Sequence, residues 1–456
     1  MEFGEEGPPG EALLSTEQES EESCVPAVRA GLFAATDVSN LTEVNGTLFF
    51  AVGTALWKSD ATAGSAVEVR DFPRDEAGGG LRDLIEAKGL LFFVSGRTLW
   101  RSDGTKAGTF ALVTSAQTGT LSDPTPLREY RGKLLFRMYS PGHGVELWSS
   151  DGTRKGTRLR ADVNPGPASS TIARNVITAS GDFVFGAHLD EDEEGVALLK
   201  LTPAGRIVEL FRIRASETSI FRLEAVGDRL FFLIDPGDRG RPYLYTSDGT
   251  PGGAALVKHF GDVSTPREFT AFDGRLFFVA ETEGSDAGFF SMELWVSDGT
   301  PAGTHLFADI RPGAAEGAIP TELMVFKDRL YFSADDGVHG RELWSTDGTV
   351  NGTRLAKDLW PGAESSDPYG LRVVNRKLYF VADDGEHGAE PWKIFHGRAR
   401  LVADLEPGPV GSNPRRLGFD PDAAFYRSGG HVFFTSTRED ATSLWALKTG
   451  SYCPVP

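Results

Sequence analysis

Short apolar segments return along the chain in one order, separated by turns of fixed flavour. From Thr321 the text reads TELMVF, a Lys-Asp turn, RLYFSAD, the turn DGVHG, RELWST, the turn DGTVNGT, and RLAKDL. Gly, Asp and Asn supply the turn conformations, so the pattern predicts four short strands joined as a meander. The second strand carries an aromatic residue at the same place in every copy: Phe50, Phe93, Phe136, Phe185, Phe232, Phe278, Phe332, Phe380 and Phe434. Its neighbours are apolar too, as in LYF or LFF. Three apolar residues in a row do not suit a sheet with one wet face; they suit a strand buried on both sides between flanking sheets.

The third strand fixes the period. Its aligned position is Trp57, Trp100, Trp148, Leu199, Tyr245, Trp295, Trp344, Trp392 and Trp445, a repeat of about 50 residues. Four-stranded units of that length bury both faces when packed radially, whereas a flat stack would leave two open ends. The predicted fold is therefore an all-β, nine-bladed propeller of four-stranded antiparallel blades. Eight blades is the alternative, with a weak unit as an insertion.

The last unit ends after SLWALK with no fourth strand, while RAGLFAATD from Arg29 resembles the fourth-strand text AGTHLFADI from Ala302. The N-terminal strand is thus expected to complete the ninth blade and close the ring. Cys24 and Cys453, the only cysteines, flank the two ends to be joined. A disulfide between them is expected, two unrelated thiols being the alternative. In the chain-entropy model so long a closed loop stabilises by roughly 5 kcal/mol, and the bond would assign the protein to an oxidising compartment.

The phrases ELWSSDGTRKGT from Glu146, ELWVSDGTPAGT from Glu293 and ELWSTDGTVNGT from Glu342 carry a resemblance. Over residues from about 28 to 448 the chain resembles the bacterial ELWxxDGT-repeat proteins, sometimes labelled hyalin-like. The match is weak at Leu199, where the turn has become TPAG. The resemblance implies a propeller-like architecture and a secreted or surface-attached location. It brings no catalytic residues, because the shared positions are structural.

Composition narrows the partners. The formal net charge of −19 argues against an electrostatic grip on nucleic acid or anionic lipid, and leaves cations and basic partners open. No apolar run is long enough for a transmembrane segment, and the opening residues are not those of a signal peptide. Residues 1–23, rich in Glu, Gly, Pro and Ser, read as a disordered acidic tether, and 24–456 as a single propeller domain. In composition that segment is similar to the spacer after the lipidated cysteine of Gram-negative lipoproteins, which would hold the propeller off an outer-membrane anchor.

Several motifs carry candidate chemistry. SDGTxxGT is expected to be a turn satisfied by its own Asp, Gly and Thr rather than a calcium loop, since one turn offers too few oxygens. The loops ADDGVHGRE from Ala334, ADDGEHGAE from Ala382 and SPGHGVE from Ser140 place His339 near Glu342, His387 near Glu390 and His143 near Glu146. With Asp335, Asp336, Asp383 and Asp384 they make a candidate rim for weak Ca2+ or other divalent-cation binding, against the alternative of a plain hairpin turn. No cofactor is required. The Trp of ELW is expected to pack between blades. Trp360, outside that register, is a candidate exposed contact for sugar or protein, and Asp162, Asp309, Asp358 and Asp404 in the joining loops a candidate acidic rim.

No nucleophile motif is present. The expected function is a non-catalytic, monomeric interaction or scaffold module, secreted or tethered at the cell surface, with a protein or glycan partner. One alternative is an extracellular polysaccharide hydrolase or lyase, which a channel-mouth cluster of Asp, Glu, His and Arg with shifted pKa values would favour. The other is a self-associating matrix or coat component.

Overall fold

A computed structural model describes residues 27–34, 38–72, 80–113, 124–189, 195–214, 218–235, 242–260, 265–282, 291–313, 317–414, 424–438 and 441–449. The tether, Cys24 and Cys453 lie outside them. Among the described residues the strands form nine four-stranded antiparallel sheets, eight of them meanders of consecutive strands. Numbering blades from Val38, blade 7 is Thr321–Phe326, Arg329–Asp335, Arg341–Thr346 and Arg354–Lys357, the four segments read from the sequence.

The ninth sheet closes the ring. Val28–Ala34 pairs antiparallel with Ala441–Lys448, next to His431–Arg438 and Tyr426–Ser428, and so takes the fourth-strand place. It even reproduces the irregularity of true fourth strands, which shift register beside the third-strand Trp, as between Leu343 and Trp344. In the closing strand the shift falls between Arg29 and Gly31, opposite Trp445 and Leu444.

Burial explains the apolar triplets. Phe50, Phe93, Phe136, Phe185, Phe232, Phe278 and Phe332 are fully buried, because their strands are covered on both faces by neighbouring blades. The hydrophobic core is accordingly divided among the junctions. The cluster of Phe272, Phe277 and Phe307 from blade 6 with Phe332 and Trp344 from blade 7 is one example, and that of Phe433 and Leu444 from blade 9 with Leu48 and Phe50 from blade 1 completes the circle. The third-strand aromatics seal these junctions edge-on: Trp100 meets Phe72 at 5.0 Å, Trp295 meets Phe260 at 6.0 Å, and Trp57 meets Phe33 of the closing strand at 5.4 Å. Such contacts add about 0.5–1.5 kcal/mol each beyond area burial.

First strands face the axis. Those of blades 4 to 8 adjoin one another in sequence, as do those of blades 9, 1, 2 and 3. They line the central channel, and third-to-fourth and second-to-third turns open on opposite ends of the ring.

Candidate functional site

The SDGT turns occupy one end, and their chemistry is internal. Asp347 Oδ1 accepts from the Thr349 amide at 3.0 Å and the Thr349 hydroxyl at 2.7 Å, Thr346 Oγ1 accepts from the Gly348 amide, and the Gly352 amide donates to Thr349 Oγ1. Asp103, Asp151, Asp248 and Asp298 bond the Thr two residues on in the same way. Those hydroxyl bonds, with the amide bonds beside them, hold all five carboxyls below the usual range. A cation from the preceding blade often caps the turn: Lys58 reaches Gly104 O, Lys200 reaches Gly249 O and Arg275 reaches Gly348 O, each within 2.9 Å. This end is a set of satisfied turns, as the sequence predicts.

The opposite end carries the DDGxHG loops, and here two expectations change. His339 Nδ1 lies 2.8 Å from Asp336 Oδ2 and His387 Nδ1 2.8 Å from Asp384 Oδ2, so each His pairs with the Asp three residues before it. His143 Nδ1 bonds Asp162 Oδ2 of the joining loop at 2.9 Å. The side-chain bond to Asp raises the pKa of both His339 and His387. Asp336 and Asp384 also accept backbone amides inside their own loops, Asp335 takes the Gly337 amide and Arg311, and Asp383 takes the Gly385 amide. Each of the four carboxylates is engaged within the protein. Among the described residues no three or more His, Cys, Asp or Glu side chains stand together to hold a metal ion.

Glu146, Glu342 and Glu390 are not rim residues at all. The His residues sit in the turns, whereas each Glu lies inside the strand that follows and turns inward, fully buried. Each holds the loop that joins its blade to the next. Glu342 accepts the Leu359, Trp360 and Ser366 amides and the Ser366 hydroxyl; Glu146 accepts the Val163 and Asn164 amides and the Ser170 hydroxyl. Glu390 does the same with Glu406 and Ser412, and Glu293 with Ile310, Arg311 and Ala318. Burial outweighs these bonds and pushes Glu146 and Glu390 up to about 7, with Glu293 and Glu342 raised for the same reason. Trp360 is half-buried rather than free. Its indole lies against Gly385 of the next blade, where a Cβ would come within 2.6 Å of the ring.

The channel supplies residues the sequence reading did not single out. A cavity of about 340 Å3 is lined by Arg174 of blade 4, Arg222, Leu223 and Glu224 of blade 5, Glu268, Phe269 and Thr270 of blade 6, and Leu323 of blade 7. These side chains reach the axis because first strands bulge where they face it: the register shifts between Ile172 and Asn175, Ile220 and Arg222, and Arg267 and Thr270. At the bulge Asn40, Asp83, Glu268 and Glu322 take positive φ values of 55 to 63°, a conformation uncommon outside glycine. Glu268 Oε2 accepts the Leu323 amide at 3.4 Å and Glu322 Oε2 the Leu371 amide at 3.1 Å, so the bulge residues also stitch neighbouring blades.

Arginines and glutamates share this wall, Arg174 and Arg222 beside Glu224 and Glu268. The Nε atoms of Arg128, Arg222 and Arg267 are buried without an acceptor among the described residues. Burial pushes the Glu224 carboxyl up to about 7 while Arg128, from blade 3, pulls it down; burial also lowers Arg128, which Glu224 partly offsets.

No protein-family model and no curated protein matches the chain. Solved propellers are similar at low identity. A prolyl endopeptidase matches at 12% identity over 79% of this chain and 56% of its own, TM-score 0.41. The β-propeller domain of the Trilobed protease from Pyrococcus furiosus matches at 12% over 82% of this chain and 100% of its own, TM-score 0.38. An oligogalacturonate lyase in complex with manganese matches at 13% over 92% and 97%, TM-score 0.38. The chain spans less than two thirds of a puromycin hydrolase (59%) and of the prolyl endopeptidase (56%). At these scores the likeness carries no argument about chemistry.

Proposed function

We propose that the protein is a non-catalytic binding module acting at a cell surface or outside the cell, and that it takes an anionic ligand in the channel against blades 4 to 7. The observation that carries this reading is a wall presenting Arg174 and Arg222, backed by Arg128 and Arg267, in a chain of net charge −19. The bulk of such a protein repels anions, so a local cluster of guanidinium groups selects one that fits the site. Buried glutamates under the joining loops at one end and Asp-Thr turns at the other keep both ends rigid, which suits recognition without closure. The repeat's resemblance to ELWxxDGT proteins supports the location.

A second reading, an enzyme on extracellular polysaccharide, has one observation in its favour: Glu224, half-buried and raised to about 7, has the pKa of a general acid. The other lining carboxyl, Glu268, holds the Leu323 amide through Oε2, which leaves one oxygen to meet a ligand and makes it a poor partner for a two-carboxyl mechanism.

Retention on immobilised carboxylate polymers at low ionic strength tests the proposal. The wild type should be held on at least one polymer and the Arg174→Glu/Arg222→Glu variant should pass through. Equal behaviour of the two proteins overturns it, and turnover of a polymer lost in Glu224→Gln would replace it with the enzyme reading.

A further inference from the structure

The channel cavity offers three kinds of contact on one wall. Arg174 and Arg222 project guanidinium groups, and no carboxylate among the described residues forms an ion pair with either. Planar guanidinium matches a carboxylate through paired N–H bonds. Phe269 also lines the wall, one side of its ring packed on the core between blades 5 and 6 and 5.6 Å from Phe278 at a tilt of 55°. Glu224, Glu268 and Thr270 add oxygen atoms beside that ring.

Each contact excludes some ligands. A phosphate monoester satisfies the arginines but sets a multiply charged group beside two glutamates, which is repulsive. An acidic peptide satisfies the arginines and leaves the glutamates with few hydroxyl donors. A neutral sugar satisfies the glutamates and Phe269 and leaves the arginines unused. A singly charged, hydroxyl-rich ring uses all three, and the cavity, at about 340 Å3, stands at the small end of ligand pockets, which run from about 300 to 1,000 Å3.

We propose that this cavity binds a uronic acid residue of an extracellular polysaccharide, its carboxylate on Arg174 and Arg222, its ring face on Phe269 and its hydroxyls on Glu224 and Glu268. The proposal rests on the reading above that the channel is the ligand site. Specificity then divides between residues: the arginines set the requirement for charge, and the glutamates the requirement for hydroxyls.

Calorimetric titration of the full chain tests this. The probes are oligogalacturonates and oligoglucuronates, neutral galactose and glucose oligomers of equal length, inorganic phosphate, and a glutamate-rich peptide. At least one uronate series should bind, with its neutral counterpart tenfold or more weaker. Arg222→Ala and Phe269→Ala should each weaken uronate binding by at least tenfold. Arg174→Ala, at an exposed position, should do so with an unchanged melting temperature, which separates lost contact from lost fold. Equal binding of neutral sugars overturns the assignment. Binding of phosphate or peptide but not uronate, abolished by the same arginine variants, overturns the uronate class and keeps the channel site. No arginine-dependent binding of any probe overturns both.

Discussion

The two ends of the ring solve one problem in opposite ways. At both, a carboxylate accepts backbone amides to hold a loop. In the SDGT turns the acceptor is an exposed Asp and its partner is the Thr two residues on, as with Asp298 and Thr300. Under the joining loops the acceptor is a buried Glu whose partners lie 16 to 25 residues on, as with Glu390 and the Glu406 amide or Glu293 and the Ala318 amide. The local device is solvated, and hydrogen bonds pull its pKa down; the distant one is dry, and burial pushes its pKa up. An exposed acceptor can be replaced by water when lost, whereas a buried one leaves its donors stranded.

Blade 6 carries both devices at the two ends of one strand, Met292–Ser297, and this makes the contrast measurable. Glu293→Ala would strand three amide donors and should cost about 3–4 kcal/mol, read from denaturant unfolding. A cost near zero would mean that water reaches the loop. The closing strand is the other long-range device. Its Phe33 packs on Phe50 and Trp57, and its Arg29 and Ala30 carbonyls accept the Gly64 and Ala66 amides of the blade 1 turn. Phe33→Ala should cost about 2 kcal/mol, below the full-burial range because the ring is half-exposed. Proteolysis should then begin at the junction of blades 9 and 1; cleavage elsewhere first would show that the ring does not depend on this seal.

The same distinction decides what the sequence reveals. The period of the third-strand aromatics, the apolar triplets around Phe332 and the missing last strand all lie in contiguous text, and the blade count and closure follow from them. SDGTxxGT is equally legible, since donor and acceptor share one turn. Glu342 is not, because its partners at Leu359 and Ser366 belong to another segment, and spacing alone set it beside His339 instead. A signal existed: Ser170, Ser366 and Ser412 follow three of the Pro-Gly joining loops, in step with Glu146, Glu342 and Glu390, while Ala318 holds that place after Glu293. The channel wall is harder still. Arg222 and Glu268 both stand ten residues before their second-strand Phe, as Asn40, Asp83 and Glu322 do, but the residue type changes from blade to blade and Arg174 falls one place outside that spacing, so no shared residue marks the wall.

The opposed pKa shifts give the two ends opposite pH dependence. Glu146 and Glu390, raised from 4.5 to about 7, bind more protons folded than unfolded in that interval. Their contribution is complete below pH 4.5 and is lost as pH rises through about 7. His339 and His387, raised from 6.5, act in the same direction. The lowered Asp residues contribute above 3.8 and lose that contribution as pH falls through their folded values. The melting temperature should therefore decline from about pH 5 to about pH 8 and decline again in strong acid. The Glu146→Gln/Glu390→Gln variant should flatten the first slope and keep the second. A wild-type melting temperature that climbs over the first interval would show that the donated bonds, rather than burial, govern these glutamates.

The smallest effect belongs to Asp298→Ala. Its loss removes the acceptor for the Thr300 amide and hydroxyl, but both face water, and the Ser297–Thr304 hydroxyl pair and the Gly299 and Gly303 amide bonds still brace the turn. Unfolding should shift far less than for Glu293→Ala, and faster amide exchange should stay within the turn, at Thr300 and Gly303. In Glu293→Ala the faster amides should be Ile310, Arg311 and Ala318, a segment away from the substitution. If Asp298→Ala instead loosens those joining-loop amides, the two ends are coupled through the strand between them, and the turn is a support for the opposite end rather than a self-contained device.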